Sequence, residues 1–331
     1  MRILETRRLT VHLASFYSSP IRRRSISAAV IFVGRCASST TAMSKSPLSL
    51  QSTYNMNSGF GMPMVGFGIR MAERVYQTPK SIAEDVVLKA LQVGYRHVDS
   101  AISYRNEEPC SQGIKGSGLD RSQVFFTTKI PPRLMGYEKT KLAIDKSLEE
   151  TEQGYFDLIL IHAPYGGKEA RNGSWRALTE AKSAGKTRSI GVSNYGVHHL
   201  DELEEYIQSS AGDKIDVGQY ELHPWLPRPD IVEWLQKRKI VVQAYSPLVR
   251  AQRMDEPVLN ELALKYNKTP AQILLRWSLQ KGFVPLPKTV TPNRIEENIA
   301  VFDFELTNQD MDALHTNDYS PVTWDPTVDR S

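Results

Sequence analysis

The sequence predicts a closed barrel of eight parallel strands alternating with helices, an α/β fold of the (β/α)8 TIM-barrel type. Eight short apolar runs alternate with amphipathic segments, and this order is typical of a parallel sheet. The alternation covers roughly 250 residues without a linker, the usual size of such a barrel. An open doubly wound sheet is the alternative, but the chain lacks the G-x-G-x-x-G motif that usually follows the first strand of that fold.

The predicted strands recur at intervals of roughly 25–35 residues, as strands in βα units do. They cover residues 64–68, 95–100, 124–130, 157–163, 187–194, 215–222, 240–248 and 283–289. The segments between them have the apolar spacing of helices. In the first of these, Ile82, Val86, Val87 and Leu91 share one face, and Gly94 marks the end of the helix.

Residues 1–45 differ in composition from the rest of the chain. They hold eight basic residues and one acidic residue, a charge of +7, which leaves −3 for the remainder of a chain with a net charge of +4. An arginine-rich, serine-rich and acid-poor stretch is typical of a mitochondrial transit peptide, and an unstructured leader before an initiator at Met43 is the alternative. We expect a disordered leader over 1–45 and one barrel domain over 46–331, its C-terminal tail lying over the barrel mouth. The expected compartment is mitochondrial if the leader is an import signal, and otherwise cytoplasmic.

The composition argues against several kinds of partner and site. The mildly acidic remainder has no electrostatic footprint for nucleic acid, and no apolar run approaches the roughly 20 residues that span a membrane. The two cysteines cannot build a disulfide framework. We predict no metal site, because His198 and His199 have no cysteine or carboxylate at metal spacing. Nothing in the sequence demands an oligomer, so we expect a monomer or a weak oligomer.

Ionisable side chains gather at the C-terminal ends of the predicted strands, where barrels of this type place their chemistry. Asp99, Lys129 and His162 close the second, third and fourth strands, and Tyr104 follows in the loop after the second. Buried together, Lys129 and Asp99 would pair, because an unpaired buried charge is costly. The ammonium would then stabilise the phenolate of Tyr104. The tyrosine is therefore predicted to donate a proton to a carbonyl oxygen that becomes negative during hydride transfer, with His162 as a second donor to that oxygen.

Seven motifs stand in an order that resembles the aldo-keto reductase superfamily over about residues 55–325: GYRHVDSA, TTK, LILIH, GKTRSIGVSN, QYELHPW, YSPL and FDFEL. The short segment after the fourth strand resembles microbial and fungal members. This resemblance implies the reversible reduction of aldehydes or ketones to alcohols with NADP(H), so that the partner is a small carbonyl compound. It also implies that Tyr104 is the general acid and that Lys129, Asp99 and His162 complete a tetrad.

The same resemblance implies a set of cofactor contacts that all lie after the fourth strand. The carboxamide and ring of the nicotinamide would be held by Ser193, Asn194, Gln219 and Tyr245. The phosphates and adenine would be held by Ser246, Leu248, Lys288, Thr289, Arg294, Glu297 and Asn298. Arginine suits a phosphate through its planar donors and lysine supplies a point charge. Because Lys288 and Arg294 match the positions that bind the 2′-phosphate, NADP(H) is preferred over NAD(H).

The first loop departs from the family pattern, since Ile69 and Arg70 stand where threonine and an aromatic residue are usual. An arginine there would select acidic substrates if it faced the pocket, and we expect it to face solvent. Trp225 and Trp324 are candidate walls of the pocket, although packing is the alternative for both.

Two other functions remain open at this point. A short-chain dehydrogenase would use a tyrosine and a lysine four residues apart, as in Tyr137 and Lys141, but the glycine motif is missing and these two residues fall on a surface helix. A cofactor-binding regulatory protein with little turnover would keep the same fold. The intact tetrad argues against this second alternative.

Overall fold

A computed structural model describes residues 48–70, 80–210 and 212–330. The expected leader, residues 1–45, lies outside these ranges. The strands are β1 (Thr53–Asn55), β2 (Gly61–Pro63), β3 (Phe67–Gly68), β4 (His97–Asp99), β5 (Phe125–Ile130), β6 (Phe156–Ile161), β7 (Thr187–Ser193), β8 (Val217–Glu221), β9 (Val241–Tyr245) and β10 (Phe283–Leu286). The helices are α1 (Lys80–Gln92), α2 (Glu107–Gly116), α3 (Tyr137–Thr151), α4 (Gly167–Ser183), α5 (Val197–Ser210), α6 (Pro229–Lys237), α7 (Pro257–Tyr266), α8 (Pro270–Gln280), α9 (Pro292–Ile299) and α10 (Asn308–Ala313).

Strands β3 to β10 form one sheet in which every strand pairs in parallel with its neighbour in the chain. Two backbone hydrogen bonds join the ends of this sheet: Gly66 N donates to Pro285 O and Gly68 N donates to Pro287 O, both at 3.0 Å. A Cβ on Gly66 would lie 2.5 Å from Leu286 Cδ2. Any other residue at this position would therefore have to displace the buried Leu286 side chain. The prediction of an eight-stranded parallel barrel is confirmed.

The alternation of side chains along each strand divides the core into two parts. In β6, Leu158 and Leu160 belong to the cluster inside the barrel, whereas Ile159 and Ile161 belong to the larger cluster between the sheet and the helices. All four side chains are fully buried. The near-continuous apolar run in the sequence follows from this burial on both faces of the sheet.

The antiparallel hairpin of β1 and β2 was not among the predicted strands. Met62 of this hairpin, with the nearby Met56, packs against Phe125, Val217 and Val241, which lie at the N-terminal ends of their strands. The hairpin therefore covers the end of the barrel opposite to the polar strand ends. Its strands have three residues each, too few to produce a periodic signal in the sequence.

Within residues 48–70, 80–210 and 212–330, no helix is both long enough and apolar enough to cross a membrane. The same residues contain no group of three or more histidine, cysteine, aspartate or glutamate side chains that could hold a metal ion.

Candidate active site

A cavity of about 560 Å³ opens at the C-terminal ends of the barrel strands. It is lined by residues from the ends of four of them: Gly68 of β3, Asp99 of β4, Tyr245 of β9 and Leu286 of β10. Parallel strands bring their C-terminal ends to one rim, and the loops that follow the strands supply the rest of the wall. The polar strand ends of the sequence therefore meet around one cavity.

A buried ion pair joins the wall of this cavity to the barrel interior. Lys129 of β5 is fully buried, and its Nζ donates to Asp99 Oδ1 at 2.6 Å and to the backbone carbonyl of Ser100 at 2.7 Å. Burial by itself would lower the pKa of Lys129, but the negative charge of Asp99 and the hydrogen bond to its carboxylate outweigh it, and the pKa is raised. The lysine is therefore held as an ammonium in the barrel interior.

The tyrosine lies directly over this ammonium. A 3-10 turn, Ile102–Tyr104, follows β4 and ends at Arg105 in the left-handed conformation with φ of +57°. This turn places the Tyr104 ring centroid 5.0 Å from Lys129 Nζ. Tyr104 itself is half-buried and lines the cavity, so its hydroxyl group can meet a ligand while its ring contacts the buried charge.

His162 is the first residue after β6, and it stands beside the tyrosine. Its ring centroid lies 5.7 Å from that of Tyr104, in an edge-on arrangement. Burial lowers the pKa of His162 well below its ordinary value, and the positive charges of Lys129 and Arg70 lower it further. The imidazole is therefore neutral at pH 7, with one N–H to donate and one nitrogen to accept.

Gln219 connects the ion pair to the barrel interior. Its Nε2 donates to Asp99 Oδ2 at 2.8 Å and to Gln243 Oε1 at 2.7 Å, and Gln243 Nε2 in turn donates to Met62 Sδ at 3.3 Å. A carboxylate can only accept, so Asp99 fixes which end of the Gln219 amide faces it. Asp99 thus holds both Lys129 and the orientation of Gln219.

A second amide network lies at the ends of β7 and β9. The Tyr245 hydroxyl donates to Asn194 Oδ1 at 2.8 Å, and Asn194 Nδ2 donates to the His162 carbonyl and to Ser193 Oγ, both at 3.0 Å. Asn194 adopts a φ of +62°, a conformation that asparagine tolerates better than most residues. These contacts join His162, which the sequence places at the end of the fourth barrel strand, to the ends of the fifth and seventh.

The remaining predicted residues come from the loops after β9 and β10 and from α9, and they line the same cavity: Ser246, Leu248, Lys288, Thr289, Arg294, Glu297 and Asn298. Glu297 Oε1 accepts from Thr269 Oγ1 at 2.7 Å, and Thr289 Oγ1 accepts from the Thr291 backbone N–H at 3.1 Å. Burial lowers the pKa of Lys288. Of all the predicted site residues, only Lys129 and Ser193 are absent from the cavity wall, since both are fully buried behind it.

The structure separates the two candidate tryptophans and places Arg70 at the cavity. Trp324 lines the cavity, whereas Trp225 is buried outside it, with Arg253 stacked over its ring at 5.0 Å. Trp225 is therefore a packing residue. The Arg70 side chain is exposed, in line with the expectation that it faces solvent, but it also lines the cavity, so the alternative of a contact with substrate stays open.

Sequence reasoning missed one residue that supports the site from the barrel interior, Gln243, and one that lines the cavity, Thr269. In the sequence, Gln243 is one polar residue within an apolar strand, although the structure shows that its side chain accepts from Gln219. Thr269 has the position of a helix cap, and in the structure it caps α8, where its side chain accepts from Gln272 N. A buried glutamine in the middle of a barrel strand is itself a signal, because a buried amide requires partners. The identity of those partners depends on the closed barrel.

The comparisons with known proteins agree with this geometry. The model of the Aldo/keto reductase family matches residues 64–317. The chain is similar to a glyoxal reductase of Bacillus subtilis, with 41% identity over 268 residues that cover 81% of this chain and 93% of the relative.

Two solved structures extend the likeness to the fold. An aldo/keto reductase from Brucella melitensis is 38% identical with a TM-score of 0.73, covering 80% of this chain and 98% of its own. A Bombyx mori aldo-keto reductase in complex with NADP is 30% identical with a TM-score of 0.74, covering 83% of this chain and 95% of its own. The chain belongs to the aldo/keto reductase family.

Proposed function

We propose that the protein reduces aldehydes or ketones to alcohols with NADPH, reversibly, and that Tyr104 supplies the proton. The observation that supports this proposal is the meeting of Tyr104, His162 and the Lys129–Asp99 pair beside one cavity. The same cavity is lined by basic residues suited to a phosphate. A proton donor, a buried cation and a phosphate-binding region in one cavity are what carbonyl reduction by a phosphorylated dinucleotide requires.

The amides beside the tetrad fit a nicotinamide carboxamide. Gln219 directs both of its N–H groups to Asp99 and Gln243, so its Oε1 can accept from the carboxamide N–H2. Asn194 Oδ1 has a second lone pair beside the one that Tyr245 uses, so it can accept from the carboxamide as well. Ser193 lies behind the cavity wall and would act on the carboxamide through Asn194, whose Nδ2 donates to Ser193 Oγ. The Tyr245 ring would support the nicotinamide from below. Bound NADPH would supply the hydride.

The phosphate end of the cofactor would lie against the basic residues of the same cavity. Arg294 is the third residue of α9, where the N-terminal end of the helix also favours an anion. Lys288 stands in the loop after β10 and would supply a second positive charge beside the 2′-phosphate. The remaining contacts to phosphates and adenine would come from Ser246, Leu248, Thr289, Glu297 and Asn298.

Proton transfer would depend on the buried ion pair. As the carbonyl oxygen gains negative charge, Tyr104 donates its proton and the Lys129 ammonium stabilises the phenolate that remains. Neutral His162 can donate its N–H to the same oxygen and so align it with the tyrosine. Asp99 keeps the ammonium in place, since its carboxylate is 2.6 Å from Lys129 Nζ.

The test is NADPH oxidation by the full-length protein, with Tyr104→Phe as the variant. The variant loses the proton donor, so we expect kcat to fall by about 100- to 10,000-fold while NADPH binding, followed by cofactor fluorescence, stays unchanged. Tyr137→Phe is the matched control because Tyr137 bonds Glu180 on the helical surface. Full turnover in Tyr104→Phe would refute the mechanism, and loss of turnover in Tyr137→Phe would favour the short-chain dehydrogenase alternative.

The carbonyl compounds tested as substrates form a panel that is chosen from the lining of the cavity and from the activities named for the relatives. Dicarbonyls belong in it because a relative is a glyoxal reductase. Carbonyl compounds with a carboxylate belong in it because Arg70 lines the cavity and its charge acts on His162. Tight NADPH binding without turnover of any carbonyl in the panel would replace the proposal with the regulatory alternative.

A further inference from the structure

The C-terminal tail, residues 314–330, is bound to the loop that follows β8. Thr316 Oγ1 donates to the Pro224 carbonyl at 2.5 Å, and Ser320 N donates to the Trp225 carbonyl at 3.0 Å. These bonds anchor the first part of the tail to backbone rather than to side chains. Two buried charged residues bind the next part of the tail, residues 322–327.

Glu221, the last residue of β8, is the first of these two residues. It is fully buried, and its Oε1 accepts from Val322 N at 2.6 Å and from His223 Nε2 at 3.0 Å. Its Oε2 accepts from Thr323 N at 3.1 Å and from the Thr323 hydroxyl. One carboxylate therefore holds two successive backbone N–H groups of the tail. Hydrogen bonds of a charged group are the strong ones, more so in a buried place.

Arg228, just before α6, is the second. Its side chain is buried, and it donates from Nη1 to Thr327 Oγ1 at 2.8 Å and pairs through Nη2 with Asp325 Oδ1 at 3.1 Å. Its Nε donates to the Glu221 carbonyl at 3.2 Å. The guanidinium thus joins the end of β8 to the tail beyond residue 324. The planar group can bind both partners at once, which an ammonium could not do with the same geometry.

Trp324 lies between the residues held by Glu221 and those held by Arg228. Its ring centroid is 6.2 Å from that of His162 and 5.8 Å from that of Tyr165, and it lines the cavity. The side chain is nevertheless 39% exposed. An indole so exposed gains little from its own packing, so the backbone contacts on either side must determine its position.

We propose that Glu221 and Arg228 are positioning residues that fix Trp324 as a wall of the substrate pocket and so set the affinity for bulky carbonyl substrates. The inference rests on the proposed carbonyl reduction. The two buried charges order the tail when the protein folds. The free energy of substrate binding therefore need not include the entropic cost of ordering the tail. Loosening either contact should therefore weaken substrate binding and leave proton transfer intact.

The kinetic test compares an aromatic aldehyde with a two-carbon aldehyde in Glu221→Gln. We expect KM for the aromatic aldehyde to rise about tenfold, the usual effect of weakening a buried charged hydrogen bond, with kcat and the KM for the small aldehyde nearly unchanged. In a Trp324→Ala background the same substitution should have no further effect on KM. An equal change in both backgrounds would overturn the inference, as would an unchanged KM in Glu221→Gln.

Glu204→Gln is the matched control. Glu204 makes a paired contact with Arg238, with both oxygens at 2.7 Å, but on the outer surface, where Glu204 belongs to α5 and Arg238 directly follows α6. We expect no change in KM for either aldehyde in this variant. A change of the same size as in Glu221→Gln would show that loss of an arginine-paired carboxylate far from the tail produces the effect, and would also overturn the inference.

A second readout does not depend on turnover. The chain has five tryptophans, of which four are at most 8% exposed, so acrylamide quenching of the native protein reports mainly on Trp324. Quenching should increase in Glu221→Gln and in Asp325→Asn, which removes the charge that Arg228 binds without altering the core. Asp325→Asn decides the question if Glu221→Gln does not fold. Unchanged quenching in both folded variants would refute the positioning role, whereas failure of the wild type to reduce any aldehyde would refute only the proposed function.

Discussion

The most informative perturbation of the site is Lys129→Met, which removes the ammonium and keeps the length and apolar character of the stem. In the wild type, Lys129 and Asp99 are 0% and 3% exposed. The substitution leaves the Asp99 carboxylate buried, with the Gln219 amide at 2.8 Å as a polar neighbour. We expect the variant to lose both stability and turnover, for reasons that can be separated.

The loss of stability follows from the burial of the pair. Breaking a buried ion pair by removing one partner costs about 3–5 kcal/mol, because the other charge remains uncompensated. The pKa of Lys129 is raised in the folded protein, so its stabilising contribution is fully present below its ordinary pKa of about 10.4 and is lost only as the pH rises through the higher folded value. Unfolding measured at pH 7 therefore reports the whole effect.

The assay is urea unfolding followed by turnover in the same samples. Adding Asp99→Asn to Lys129→Met removes the stranded charge, so the double variant should regain most of the lost stability but none of the turnover. Lys146→Met is the control, because Lys146 and Glu150 form an exposed pair at 3.5 Å, and it should change the unfolding free energy by less than about 0.5 kcal/mol. Wild-type stability in Lys129→Met would refute the reasoning about the buried pair, and recovered turnover in the double variant would refute the role of the ammonium.

Three further predictions concern the cofactor and the pH dependence. Arg294→Ala should weaken NADPH binding by about 10- to 100-fold and NADH binding much less, and titration with equal losses for both would place the 2′-phosphate elsewhere. Gln243→Leu removes the acceptor of one Gln219 N–H group and should weaken NADPH and NADH alike, by about tenfold; unchanged binding of both would show that Gln219 needs no such support. Burial lowers the pKa of His97 to about 3, so below pH 6.5 the unfolded chain binds a proton that the folded one does not, and stability should fall by about 1.4 kcal/mol per pH unit as the pH decreases towards 4. His97→Gln should flatten this slope in denaturant titrations, and an unchanged slope would contradict the assignment.

The barrel and the polar rim that carries the candidate site could be predicted because both follow from local patterns. The apolar runs and helical spacings are properties of a few neighbouring residues, and parallel strands necessarily bring their C-terminal ends together. Asp99, Lys129 and His162 stand at such ends in the sequence. The structure places Asp99 and His162 on the wall of one cavity and Lys129 directly behind it, paired with Asp99. The β1–β2 hairpin lacked a local pattern of this kind.

Other features required the closed structure, because they depend on pairs of residues that are far apart in the chain. Glu221 and Thr323 are 102 positions apart, and Gln219 and Asp99 are 120. Neither the orientation of the Gln219 amide nor the choice between Trp225 and Trp324 as a pocket wall leaves a periodic signal. The sequence by itself determined the barrel, the family and the residues of the candidate catalytic rim, since these depend on local spacing and on the identity of side chains at strand ends. Only the tertiary structure decided which buried polar groups hold those residues and the tail in place, because a buried donor or acceptor is satisfied by whatever the closed barrel brings within hydrogen-bonding distance.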